Sequence, residues 1–356
     1  MAVRRRLLTF RSGGWVLLLA AALSLAAAAW RVVPILTAPR SRAVGDGRNA
    51  ESYGFDLSSC TVPRDRIAAS GLPKDGVPAL VAPRAIAALD AGSIPGRRGK
   101  YLVGSDRVVG ISIGGETRAY PLRVLAWHEV VNDTLGGVPI AVTYNPLSEG
   151  VAVFDRRVAG EVREFAVSGL LYNSTLLMYD RRPRAAGESL FGQLQARAVA
   201  GPAAALGTAL ETLPYSLLRW ADWRAEFPST TVLAPEDATA EKYQREPYKT
   251  YFDSERLLVP VDPLPPSGGL PLKARVLAVA ADGRWRIFPL EPDPPPSPPL
   301  VRVQAGDTEL LLDYSTRPAS FRVSRPGAAP LRMFSSFWFA WFATHADRPG
   351  TVGIGD

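Results

Sequence analysis

The chain has one cysteine, two histidines and three methionines in 356 residues, and the first two scarcities each remove a class of chemistry. A single thiol, Cys60, closes no intramolecular disulfide and builds no cysteine zinc site, so stability must come from packing. Cys60 lies in the N-terminal lead-in near Arg64 and Arg66, with no helix start beside it to lower its pKa. A zinc-protease helix needs a second histidine four residues after the first, and Asn132 stands at that distance from His128. Acid is missing from residues 1–40, which hold Arg4, Arg5, Arg6, Arg11, Arg31 and Arg40. These six arginines account for +6 of the formal net charge of +7. The body is therefore nearly neutral and lacks the basic face that nucleic-acid recognition requires.

The same N-terminal region contains an uncharged apolar run from Trp15 to Trp30 behind its basic head. This pattern predicts an export or anchoring segment. Sixteen residues fall short of a full span, but the run continues past Arg31 through Val32–Leu36, and tryptophans at both ends suit an interfacial anchor. Its alanine-rich end equally suits a cleavage site. The expectation is a single anchor with the body outside the cytoplasm, a secreted or periplasmic product being the alternative. Arg4 and Arg5 match a twin-arginine signal only loosely.

The remaining chain is long enough for two domains, and 47% hydrophobic residues argue against disorder. Residues Arg107–Leu122 return as Arg275–Leu290 at a constant offset of 168. Each copy alternates apolar and polar residues about a short turn, Gly114-Gly115 or Asp282-Gly283, which predicts a β-hairpin. Trp220–Trp223 and Trp338–Trp341 then start matching amphipathic segments, each leading to a short strand at Thr231-Val232 or Thr351-Val352. The expected fold is α+β, mostly antiparallel and β-rich, with two related lobes from an internal duplication after an N-terminal hydrophobic helix. Expected boundaries are an anchor over 1–40, a lead-in over 41–99, a first repeat carrying the candidate site over 100–235, a proline-rich connection over 236–268 with a short strand near Leu257, and a second, shorter repeat over 269–356.

Between its ends the first repeat carries polar groups that the second lacks. A helix over Leu125–Asp133 would place His128, Glu129, Asn132 and Asp133 on one stripe. That stripe is either a metal or ligand site, with His128, Glu129 and Asp133 as donors, or a helix end whose side chains bond neighbouring loops. Strand Ile140–Tyr144 leads into the turn Asn145-Pro146-Leu147-Ser148, and Asn173-Ser174 sits between apolar pairs as a buried network or a pocket wall. Asp180 and Arg181 read as a strand-end ion pair. Gly110-Ile111-Ser112-Ile113-Gly114 matches the serine-hydrolase motif in letters only, because Ser112 falls inside a hairpin strand. His345 and the aromatic run Phe334, Phe337, Trp338, Phe339, Trp341 and Phe342 read as packing groups of the second repeat.

Residues Ala119–Gly150, together with Gly169–Ser174 and Met178–Arg181, resemble the bacterial domain of unknown function 3179 (DUF3179), which includes proteins described as selenoproteins. The resemblance covers about residues 100–350. It implies a Cys-Pro-Leu-Cys turn, sometimes with selenocysteine first, where this chain has Asn145 and Ser148, and it makes Tyr144, Asn145, Ser148, Asn173, Ser174, Asp180 and Arg181 candidate site positions. Asn and Ser cannot cycle electrons as a thiol pair does. Three readings follow: a thiol-lacking ligand-binding or accessory module, a metal-dependent enzyme using His128, Glu129 and Asp133, or a structural envelope protein. The expected partners are the membrane through the N-terminal segment and either a small ligand or an envelope protein, with a metal ion as the one cofactor considered. Convergence of these groups on the Tyr144–Ser148 turn would favour one surviving site.

Overall fold

The computed structural model describes residues 44–92, 101–235, 241–281, 283–327 and 331–353, with Val16 and Ser24 alone before them. The predicted N-terminal hydrophobic helix lies outside the described residues. Among the described residues no helix is long and apolar enough to cross a membrane.

The described residues form two eight-stranded sheets, a five-stranded sheet and a two-stranded hairpin. In chain order the first strands are β1 (Ile67–Ala69), β2 (Leu80–Val81), β3 (Ala85–Ala87), β4 (Arg107–Ile113), β5 (Glu116–Pro121), β6 (Val130–Leu135), β7 (Val138–Asn145) and β8 (Gly150–Asp155). After the hairpin of β9 (Arg157–Val158) and β10 (Glu161–Val162) come β11 (Phe165–Tyr172), β12 (Thr175–Asp180), β13 (Leu190–Gly192), β14 (Arg197–Ala200), β15 (Ser216–Arg219) and β16 (Thr231–Leu233). The last are β17 (Arg275–Ala281), β18 (Arg284–Pro289), β19 (Leu300–Ala305), β20 (Thr308–Asp313), β21 (Ser320–Arg325), β22 (Met333–Phe337) and β23 (Thr351–Val352).

One large sheet runs β19-β20-β21-β15-β4-β5-β16-β3, and the other runs β2-β6-β7-β8-β22-β17-β18-β23. Seven strands of each match in order and direction. A three-strand meander precedes an antiparallel trio, and a parallel strand closes the set: β16 on β5 in one sheet, β23 on β18 in the other. The registers match too, since Thr231 faces Arg118 while Thr351 faces Arg286, at the same offset of 168 along the hairpin. Helices Trp220–Glu226 and Trp338–Thr344 follow β15 and β22.

The two expected lobes are not built each from one repeat. Each meander leaves its own repeat: β8 pairs with β22 and β21 with β15, so each large sheet combines strands of both halves. An open edge of a hairpin accepts any antiparallel edge of suitable length, and local sequence does not say which one arrives.

The second sheet is covered on both faces. Val131, Leu135, Ile140, Val142, Val151 and Val153 pack toward the first sheet. Val130, Ala141, Ala152 and Phe154 pack on the opposite side with Phe165, Met178 and Phe191 of the five-stranded sheet β1-β11-β12-β13-β14. Burial on both faces explains the near-continuous apolar runs of β7 and β8. The aromatic run of the second half divides into strand β22 and the following helix, and Phe334, Phe337, Trp338, Phe339 and Trp341 are buried in this second layer.

Two elements differ from expectation. The helix over Leu125–Asp133 does not form. A four-residue helix, Leu122–Leu125, ends in a turn at which Glu129 takes φ +55°, and Val130 then opens β6. β-Branched Val130, Val131 and Thr134 favour a strand, and Gly136-Gly137, both at positive φ, form its hairpin turn rather than a helix stop. No strand occurs near Leu257; residues 241–268 instead contain the short turns Lys242–Gln244 and Lys249–Phe252.

The Gly-x-Ser-x-Gly letters have a packing explanation. A Cβ on Gly110 would lie 2.3 Å from the Trp223 ring, whereas Ser112 is exposed on β4 opposite Thr117. Gly110→Ala should therefore cost about 1–3 kcal/mol in urea unfolding. Ser112→Ala should stay within about 0.5 kcal/mol of wild type in the same assay.

Candidate functional site

The turn between β7 and β8 is built from its own side chains. Asn145 Oδ1 accepts the Ser148 backbone N–H at 3.0 Å and the Ser148 hydroxyl at 2.9 Å, which closes the loop around Pro146. Phe337 at the end of β22 donates its backbone N–H to the Ser148 carbonyl, so the second half of the chain seats the turn. The other end of Asn145 reaches Glu129, with Nδ2 donating to Oε2 at 3.4 Å. Glu129 arrives there because its left-handed backbone ends the helical turn and its carbonyl accepts the Tyr144 N–H. That long amide contact is the one side-chain bond to its carboxylate among the described residues, and burial pushes its pKa up to about 7.

A second under-satisfied group lies behind the turn. Gln193, fully buried, donates Nε2 to Thr143 Oγ1 and to the Gly150 carbonyl, while its Oε1 has no partner among the described residues. A Cβ on Gly150 would meet that Oε1 at 2.7 Å and Ser148 Oγ at 2.8 Å, so a larger residue there would push both side chains aside. Buried acceptors without donors are uncommon in folded proteins.

In front of the turn is a cleft of about 350 Å³ lined by Tyr144, Glu149, Tyr248, Phe252, Arg107 and Arg275, among others. Glu149 holds φ +47° and receives Arg107 Nη1 on Oε1 at 2.5 Å and Arg275 Nε on Oε2. Arg107 and Arg275 are the first residues of β4 and β17, the matching strands of the two halves. Burial pushes the Tyr248 hydroxyl up to about 12, with the Glu129 charge adding to the effect. Burial likewise raises Tyr144 far above the ordinary phenol range, with Glu149 as the next cause.

The other sequence candidates do not join this group. His128 contacts the Pro78 carbonyl through Nδ1 and Tyr243 Oη through Nε2, each at 2.7 Å. Asn132 and Asp133 point to opposite faces of β6, as strand alternation requires. Asn132 clamps the backbone of Phe165 in the five-stranded sheet, while Asp133 accepts Arg118 and the Tyr120 hydroxyl from the first sheet. Among the described residues no group of three or more His, Cys, Asp or Glu side chains is placed to hold a metal. Asn173 and Ser174 form the β11–β12 turn and bond the backbones of Asp262, Ala343 and Val259. Asp180 accepts Ser189 N–H and Arg182 Nε, and Arg181 pairs with Glu164 and Asp75, so Asp180 and Arg181 do not pair with each other. His345 stacks on Trp341 at 3.8 Å, and burial drops its pKa to about 4.

Of the candidates, Glu129, Tyr144, Asn145 and Ser148 come together. Glu149, Gln193, Tyr248 and the arginine pair were not among the sequence candidates. A signal existed only for Arg107 and Arg275, which open the repeated segments.

Glu129 generates a pH prediction. Its folded pKa of about 7 exceeds the ordinary 4.5, so the folded chain holds the proton more tightly than the unfolded one. Stability from this group is therefore greatest below pH 4.5 and declines as pH rises through 7. Relative to wild type, Glu129→Gln should gain about 3 kcal/mol at pH 8 and little at pH 4 in urea unfolding. An equal gain at both pH values would refute the assignment.

A comparison with curated proteins finds no match, and a comparison with solved structures finds none either. Residues 74–326 match the family described as protein of unknown function DUF3179. The match spans more than two thirds of the chain and includes the turn and the cleft lining, so the chain belongs to the DUF3179 family.

Proposed function

We propose that this protein is an exported, membrane-anchored binding module that holds a small molecule in the cleft before the Asn145–Ser148 turn. The observation that carries the reading is the contrast in polar satisfaction. His128, Asn132, Asp133, Asn173, Ser174 and Asp180 are tied to internal partners, whereas Glu129 and Gln193 flank the turn with bonding capacity left over. The cleft itself is lined by Tyr144 and Glu149, the residues at either end of the turn, and by Arg123, whose buried Nε has no partner among the described residues, as a ligand site would provide.

The family resemblance supports binding over redox chemistry, because Asn145 and Ser148 stand where the family carries sulfur and make one neutral hydrogen-bonded pair. The basic head and apolar run of residues 1–36 support export and anchoring. The matched seven-strand series supports descent from a duplicated unit, in which the first copy alone carries the Asn145–Ser148 turn.

The test is a fragment screen by thermal shift on the full-length chain. A fragment that raises the melting temperature of wild type should lose most of that shift in Tyr248→Ala, which removes a half-buried wall of the cleft. The same shift should persist in Ser112→Ala, far along β4 from the cleft lining. Fragments that stabilise all three proteins equally would move the site elsewhere. An alkaline phosphatase fused after residue 43 should be active outside the cytoplasm; an inactive fusion would remove the export reading.

A further inference from the structure

Arg107 and Arg275 occupy equivalent positions in the two matched sheets, yet both guanidinium groups turn toward one carboxylate, that of Glu149. Arg107 Nη1 on one carboxylate oxygen and Arg275 Nε on the other form a seat for a carboxylate. Both arginines keep just over a fifth of their side-chain surface exposed and line the cleft, so the seat opens onto it rather than being sealed in the core. The resident acid is held less comfortably. Glu149 sits at positive φ, a conformation that costs a non-glycine residue energy. Of the cleft's charged groups five are basic and three acidic, so removing Glu149 from the seat leaves an excess of positive charge. Around the charged floor the walls are apolar or aromatic: Leu122, Phe252, Pro247, Pro318 and the two tyrosines.

We propose that the cleft takes a small organic carboxylate with an apolar body, whose carboxylate replaces Glu149 on Arg107 and Arg275. Glu149 is then a built-in competitor that keeps the two arginines paired while the cleft is empty. Arg275 keeps Glu291 as a second partner, whereas the ion pair of Arg107 is with Glu149, so an anion that displaces Glu149 must take its place at Arg107. A volume of about 350 Å³ with Tyr144, Tyr248 and Phe252 in its lining suits an aromatic or alicyclic acid of modest size. This inference rests on the binding reading above and adds to it the ligand class and the exchange of partners.

The probe is benzoate, with benzamide as its uncharged counterpart, titrated calorimetrically into the full-length chain. Wild type should bind benzoate at least tenfold more tightly than benzamide. Glu149→Gln should bind benzoate at least tenfold more tightly than wild type, since the internal competitor no longer accepts both forks. Arg275→Lys keeps the charge but loses the fork, and should weaken benzoate at least fivefold while leaving benzamide unchanged. This variant also carries the test if Glu149→Gln fails to fold. Equal binding of benzoate and benzamide, or benzoate binding untouched by Arg275→Lys, overturns the carboxylate seat while leaving a ligand cleft in place. Benzoate affinity identical in folded Glu149→Gln and wild type overturns the exchange. Absence of benzoate binding in wild type and Glu149→Gln alike overturns the proposal outright, and the fragment screen then judges the binding reading by itself.

Discussion

Burial of one sheet on both faces is the constraint from which the rest of the structure follows. The sheet β2-β6-β7-β8-β22-β17-β18-β23 has the first large sheet on one side and the five-stranded sheet on the other, with apolar side chains filling both gaps. Solvent cannot satisfy a polar group inside such a layer, so each one must find a protein partner. Asn132 and Asp133 show how this is done. They are adjacent on β6, face opposite gaps, and each ties the central sheet to a different neighbour through two or more bonds. Breaking either set would strand a buried amide or carboxylate, which makes these residues structural fasteners.

The candidate site is one of several places where that satisfaction is incomplete. Glu129 has one long contact from Asn145, and Gln193 has an idle carbonyl oxygen, both at the end of β7 where the chain reverses. Next to them, the arginines of two matching strands meet on Glu149. The interleaving of the halves produces this arrangement. Because each meander joins the other half's sheet, the β7–β8 turn from one half rests on Phe337 of the other, and the first residues of β4 and β17 converge beside it. Two separate lobes would have kept the arginines in different surroundings.

Residues 125–133 form the end of a helical turn and the start of β6 rather than one helix. Four polar residues at helical spacing fit one stripe, but the spacing i, i+1, i+4, i+5 is equally compatible with a turn followed by a strand. What decides is the left-handed backbone at Glu129, which a non-glycine residue adopts only when its surroundings stabilise it. His128 is left on the helical turn, where Pro78 and Tyr243 occupy both ring nitrogens, while Asn132 and Asp133 are carried onto β6.

By itself the sequence determined the family, the β-rich class, the repeated hairpins at an offset of 168 and the Asn145–Ser148 turn, because these rest on short-range patterns of turn residues and alternation. It also excluded an intramolecular disulfide through its lone cysteine. Tertiary structure alone decided which meander joins which sheet, which polar residues are fasteners and which remain under-satisfied, and that Arg107 and Arg275 share Glu149. Those outcomes depend on contacts between residues as much as 184 positions apart, as Val151 and Ser335 are, made when two strand edges and two buried faces meet, and no local pattern encodes the partner across such a gap.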